Sequence, residues 1–147
     1  RRHLDEVEAR YLAEADTLAG MPWKEGVRVV VGQAVEFHNS RPAARLLILG
    51  GAVTDGSYRA QDRLLKRLGG LGRAVWEQQS GRQLPHSPDI FTLSVEMAVA
   101  CYRRSVFEHG RITPAHAELA AGAMIRFLSP YLDDERARVP VDETTQP

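Results

Sequence analysis

Apolar residues along this chain recur mostly at steps of three and four, the spacing of one face of an α-helix. From Arg2, the residues Leu4, Val7, Tyr11, Ala15 and Leu18 make one stripe, with Asp5, Glu6, Glu8, Arg10 and Glu14 mostly away from it. The next segment repeats Trp23, Val27, Val30, Ala34 and Phe37. Its Val29-Val30-Val31 run has strand propensity, but the helical stripe is longer and predicts a helix. A short third segment spans Pro42 to Leu49. The fourth, from about Ser57 to Gln79, holds Gln61, Leu64, Leu68, Leu71 and Val75 in register. The fifth runs from Pro88 to about Glu108 and the sixth from Pro114 to about Ser129. Together they predict an all-α fold of about six helices with short connections.

Punctuation supports these boundaries. Met21-Pro22, Arg41-Pro42, Ser87-Pro88 and Thr113-Pro114 stand where helices would begin, and proline suits the first helical position. Ser87 and Thr113 are expected to cap their helices with a side-chain oxygen. Gly20, Asn39-Ser40, Gly50-Gly51, Gly81 and Gly110 close the segments. Pro130 is expected to end or kink the sixth helix. The polar stretch 134–147, with Pro140 and Pro147, predicts a mobile tail behind a single domain over 1–133.

The last two long segments differ from the others. Between Ile90 and Tyr102 only Thr92, Ser94 and Glu96 interrupt an apolar run, and the sixth helix confines its charge to Glu118 and Arg126. A helix apolar on most sides must be covered on most sides. A second copy of the chain is the economical cover. Ala120, Gly122 and Ala123, with Phe127 beside them, form the expected seam, where small residues let backbones approach.

Composition narrows the function. The 147 residues carry 19 Lys and Arg against 19 Asp and Glu, a formal charge of zero. A domain that binds nucleic acid by itself usually needs a basic excess. The single cysteine, Cys101, excludes an internal disulfide framework and suggests a reducing, cytoplasmic setting. No apolar run reaches the roughly 18 residues of a membrane span, and no secretory signal is visible. The chain opens on Arg1-Arg2-His3 already inside a helical pattern, so a further segment is expected upstream.

Motifs of catalysis are missing: no phosphate loop of the Walker kind, no Gly-x-Ser-x-Gly elbow, no Cys-x-x-Cys pair. Gly69, Gly70 and Gly72 resemble a phosphate cradle only superficially, because no strand precedes them; close helix packing or room for a ligand explains them better. His3, His38, His86, His109 and His116 contain no pair four apart, so neither a metal nor a cofactor is expected. His38, after Phe37, reads as a helix-end histidine or as a polar group at a pocket rim. Cys101, in an apolar helix, reads as a small buried residue rather than a redox sensor. Trp23, Phe37, Tyr58, Trp76, Phe91, Tyr102 and Phe107 suit either a core or the wall of a ligand cavity.

The order and character of these helices resemble the C-terminal domain of TetR-type transcriptional regulators. Met21-Pro22-Trp23, opening a helix that ends near Phe37-His38-Asn39, is similar to that family's fifth helix. Arg41-Pro42-Ala43-Ala44-Arg45-Leu46-Leu47 resembles the short segment after it, and Arg63-Leu64-Leu65-Lys66-Arg67-Leu68 lies in a helix like the next. The two apolar helices at the end resemble the dimerisation pair. The likeness runs from Arg2 to about Leu132, without the N-terminal helix-turn-helix that is diagnostic of the family.

The resemblance implies a bacterial one-component repressor whose last two helices form an intersubunit four-helix bundle. It implies a small, hydrophobic effector held near Trp23, Phe37, His38, Trp76, Met97, Cys101 and Tyr102, and DNA contact only through an N-terminal head. Cys101 and Tyr102 point about 100° apart, so at most one faces the cavity centre. The first segment would be the connecting helix that carries movement to the head. Two other classes stay open: a helical adaptor that dimerises without a ligand, and a small helical enzyme. An empty, well-packed interior would favour the adaptor, and a closed cavity of a few hundred Å³ the sensor.

Overall fold

A computed structural model describes residues 2–43, 45 and 55–133. Five helices carry them: α1 (Arg2–Ala19), α2 (Trp23–Ser40), α3 (Asp55–Ser80), α4 (Ile90–His109) and α5 (Pro114–Leu132). No strand occurs among the described residues, so the all-α reading holds. The Val29–Val31 run lies inside α2, where Val31, Ala34, Phe37 and His38 form its buried side. Most of the expected third segment, and the expected tail, lie outside the described residues. None of the described helices is long and apolar enough to cross a membrane.

Three helix ends differ from expectation, each for a local reason. Ser87-Pro88 does not start α4, whose cap is Asp89. Its carboxylate accepts the Thr92 backbone N–H at 3.1 Å and the Thr92 hydroxyl at 2.7 Å. The carboxylate satisfies a first-turn donor that Ser87, two residues earlier, does not. Pro22 takes the N-cap place rather than the first helical one, and α2 starts there without a side-chain cap. Pro130 does not stop α5, which continues to Leu132. The missing N–H removes one bond, but Asp133 still closes the last turn onto the Ser129 carbonyl at 3.0 Å. Buried Leu132 anchors that turn in the core. Thr113, as expected, caps α5 by accepting the His116 N–H.

The helices α4 and α5 make the most extensive contact, α3 packs on α4, α1 lies chiefly against α3, and α2 against α5. The α4–α5 turn is held from inside. Gly110 takes a left-handed φ of 72° that ends α4. The Ser105 hydroxyl donates to the Arg111 carbonyl and accepts the Thr113 N–H, at 2.8 and 2.9 Å. The Asn39 amide pairs with both the carbonyl and the N–H of Ile112, at 2.8 and 2.9 Å. Ile112 is 1% exposed, so its backbone groups need those partners.

Side chains on α3 bind backbone carbonyls of the α1 end and the turn after it, and of the connection to α4. The Gln79 amide nitrogen lies within 2.7–2.9 Å of the Leu18, Ala19 and Met21 carbonyls. Buried Arg73 donates to the Leu84 and Pro85 carbonyls and pairs with Glu77. Beyond α3, Arg82 reaches the carbonyl of Leu132 while lying over the Trp76 ring. At the opposite end of the chain, Asp133 accepts the Trp23 indole N–H and pairs with Lys24, both at 2.8 Å.

Two apolar clusters form the interior. One gathers Val31, Phe37, Leu64, Tyr102, Ile112 and Met124, the other Trp76, Ile90, Phe91, Leu128 and Leu132. A cavity has walls drawn from both.

Candidate functional site

All five helices contribute to this partly enclosed cavity of about 160 Å³. Ala15 and Leu18 come from α1, and Trp23, Val27, Val31, Ala34 and His38 from α2. The α3 stripe supplies Leu64, Leu68, Leu71, Val75 and Trp76, with Gln79 at one edge. Phe91, Ser94, Val95, Ala98 and Tyr102 come from α4, and Met124, Leu128 and Leu132 from α5. Each helix therefore turns part of its apolar stripe inward, as the three-and-four spacing demands. Gly69 and Gly72 lie in the wall as well. Gly69 is the contact between α3 and α4: a Cβ there would come within 2.5–2.8 Å of Thr92 atoms. Close helix packing explains Gly69, while Gly70 faces open space and Gly72 is in ordinary contact with Phe91.

Few polar groups reach the wall. Ser94 is satisfied by the Phe91 carbonyl at 2.7 Å, and the Trp23 indole N–H is given to Asp133. His38 differs. It is 6% exposed, and its Nδ1 is buried with no hydrogen-bond partner. Burial, and then the Arg45 guanidinium nearby, lower its pKa to about 4. The ring is accordingly neutral at physiological pH, with one nitrogen able to donate and one to accept. The Tyr102 ring stands 6.3 Å away, centroid to centroid. The cavity is thus a greasy void with an imidazole in its wall, a chemistry suited to orienting an apolar ligand by one polar group.

Trp23, His38, Trp76 and Tyr102, named from the sequence, all line the cavity; Phe37, Met97 and Cys101 do not. Phe37 is buried in the first cluster beneath the Arg41 guanidinium, 4.5 Å from its ring centre. Of the adjacent pair on α4, Tyr102 faces the void, while half-buried Cys101 packs on the core with its thiol pKa raised by burial. Met97 is half-buried and off the wall. The sequence reading left out Ser94, Gln79 and the α1 contribution. The Leu64–Leu68–Leu71–Val75 stripe is legible as one helical register, without a sign that it lines a void; no pattern singles out Gln79.

The expected seam requires a correction. Ala120 has 0% exposure and Ala121 3%; both face this chain's own interior, so Ala120 cannot meet a partner's backbone. Gly122, Ala123 and Phe127 are half-buried, and Phe127 packs beside Tyr131 with ring centres 6.0 Å apart. On α4 and α5 the exposed large apolar side chains are Leu93, Phe107 and Leu119, at 41%, 63% and 55%, and on α3 Tyr58 is exposed at 67%.

Comparison with protein-family models, with curated proteins and with solved structures gives no match to this chain.

Proposed function

We propose that this chain is the effector-sensing and dimerisation domain of a one-component, TetR-like transcription regulator. A small apolar molecule occupies the inter-helix cavity and biases the regulator toward release of its operator. Dimerisation uses the outer faces of α4 and α5, and DNA is held by a head joined to the α1 side. The observation that carries this reading is the void itself, with the neutral His38 imidazole in its wall. Apolar wall that the chain's own side chains leave unfilled forgoes packing contacts that a ligand can supply. A void of about 150 Å³ lined by aliphatic and aromatic groups takes up benzene, which sets the scale of a first ligand. The resemblance in helix order supplies the regulatory context. Coupling of about 1–3 kcal/mol between cavity and head is the usual requirement.

The test measures occupancy directly. Benzene, indole and short alkanols are titrated while the melting temperature and the fluorescence of Trp23 and Trp76, both in the wall, are followed. A ligand at a hundred times its Kd stabilises the fold by about 2.7 kcal/mol. Ala98→Leu, which fills the void from α4, should abolish that response while itself stabilising the chain by roughly 0.5–2 kcal/mol. If none of these probes raises the melting temperature of the unmodified chain, the void is not a binding site. The reading as a ligand-free helical adaptor then takes its place.

A further inference from the structure

The corner between α4 and α5 gathers a second group of chemically capable side chains, none of them in the cavity wall. Glu108 and His109 end α4, and His116 lies in the first turn of α5. One potential ligand atom of each lies within 4.8 Å of the other two. His109 Nε2 stands 3.9 Å from Glu108 Oε2. The two imidazoles meet edge to face with centroids 5.5 Å apart. His116 Nδ1 is already engaged, 2.7 Å from the Thr113 hydroxyl, which leaves Nε2 as its ligand nitrogen. That hydroxyl fixes ring orientation as the outer-shell partner of a metal-bound histidine does.

The frame beneath these residues is rigid. The Ser105 hydroxyl and the Asn39 amide bind four backbone groups of residues 111–113, so the two helix ends keep a fixed separation. His116 lies seven positions after His109 and across a chain reversal, not four apart on one helix.

We propose that Glu108, His109 and His116 form a surface site for a transition-metal dication of the zinc or nickel type. Two imidazoles and one carboxylate select such ions over magnesium or calcium, which prefer oxygen alone. Three protein ligands leave a position open for water or for a donor from another molecule. Bonds of about 2.0–2.1 Å at tetrahedral angles place ligand atoms roughly 3.3 Å apart, so the side chains must close inward. Glu108 and His109 are half-exposed and have room to do so. The competing Arg104–Glu108 contact is a 3.9 Å pair at the surface, of the kind that contributes little.

Isothermal titration of the chain with ZnCl₂ and NiCl₂, and with MgCl₂ as control, reads the site directly. One zinc or nickel ion should bind per chain, without detectable magnesium binding. His109→Ala and His116→Gln should each weaken zinc at least roughly tenfold, whereas His86→Ala, at an exposed histidine outside the corner, should leave it unchanged. Circular dichroism confirms that each variant is folded. As a readout independent of heat, Co²⁺ should give a visible d–d spectrum that both corner variants lose. Zinc binding that survives both corner substitutions, or that falls equally with His86→Ala, overturns the site.

Discussion

At His38 the demands of packing and of charge pull against each other. Its ring closes the buried side of α2, yet Nδ1 finds no partner, and neither does the buried Nε of Arg45, whose positive charge disfavours a second one beside it. The folded-state pKa of about 4 lies below the ordinary 6.5, which fixes the sign of the pH response. Above 6.5 both folded and unfolded chains hold His38 neutral, and the group contributes no pH dependence. Between 6.5 and about 4 only the unfolded chain takes up the proton, so stability falls as pH falls. The full loss, about 3 kcal/mol for a shift of that size, is reached below about pH 4. Urea unfolding at pH 7, 5.5 and 4.5 should therefore show a decline that His38→Phe makes shallower. Equal declines in the two proteins would mean that His38 is charged when folded. The sequence marks His38 as the end of an apolar stripe. It does not reveal the unpartnered nitrogen, because that depends on residues brought up from elsewhere in the chain.

At the level of helices, the contact between α3 and α4 turns on one missing methyl group. A Cβ at Gly69 would collide with Thr92 backbone, whereas one at neighbouring Gly70 would meet nothing within 4 Å. Gly69→Ala should destabilise by roughly 1–3 kcal/mol, since a rigid neighbour must move. Gly70→Ala should stabilise by about 1 kcal/mol through helix propensity alone. Opposite signs in chemical denaturation check the packing, and equal signs would contradict it. The same comparison shows what a sequence pattern carries. The stripes of α2 and α3 have clear polar flanks, so their period has a phase and their inward faces were legible. In α5 apolar residues surround most of the circumference, the phase is lost, and Ala120 reads as outward although it is fully buried. Trp23, His38, Trp76 and Tyr102 were placed by helix and by chemistry. Met97 and Cys101 were not separable from Tyr102 until the rotation of α4 was fixed by its neighbours.

For the molecule as a whole, the exposed Leu93 and Phe107 of α4 and Leu119 of α5 leave apolar area uncovered. In a dimer built there, Phe107→Glu or Leu119→Glu would bury an unpaired charge and cost several kcal/mol of association. Light scattering should report folded monomers. Ala120→Glu places the charge in the chain's own interior and should unfold it instead, a difference that circular dichroism reads. An unmodified chain that is monomeric at micromolar concentration removes the dimer from the account. The grip of Gln79 on the end of α1 bears on motion at this scale, because Gln79 also stands in the cavity wall. One side chain is both wall and fastener, so the shape of the void and the direction of α1 are not independent quantities. The 18 residues of α1 make a rod about 27 Å long. A pivot of about 5° at its fastened end sweeps the far end through roughly 2 Å. Any turn at the Gln79 end of such a rod is therefore largest at its other end.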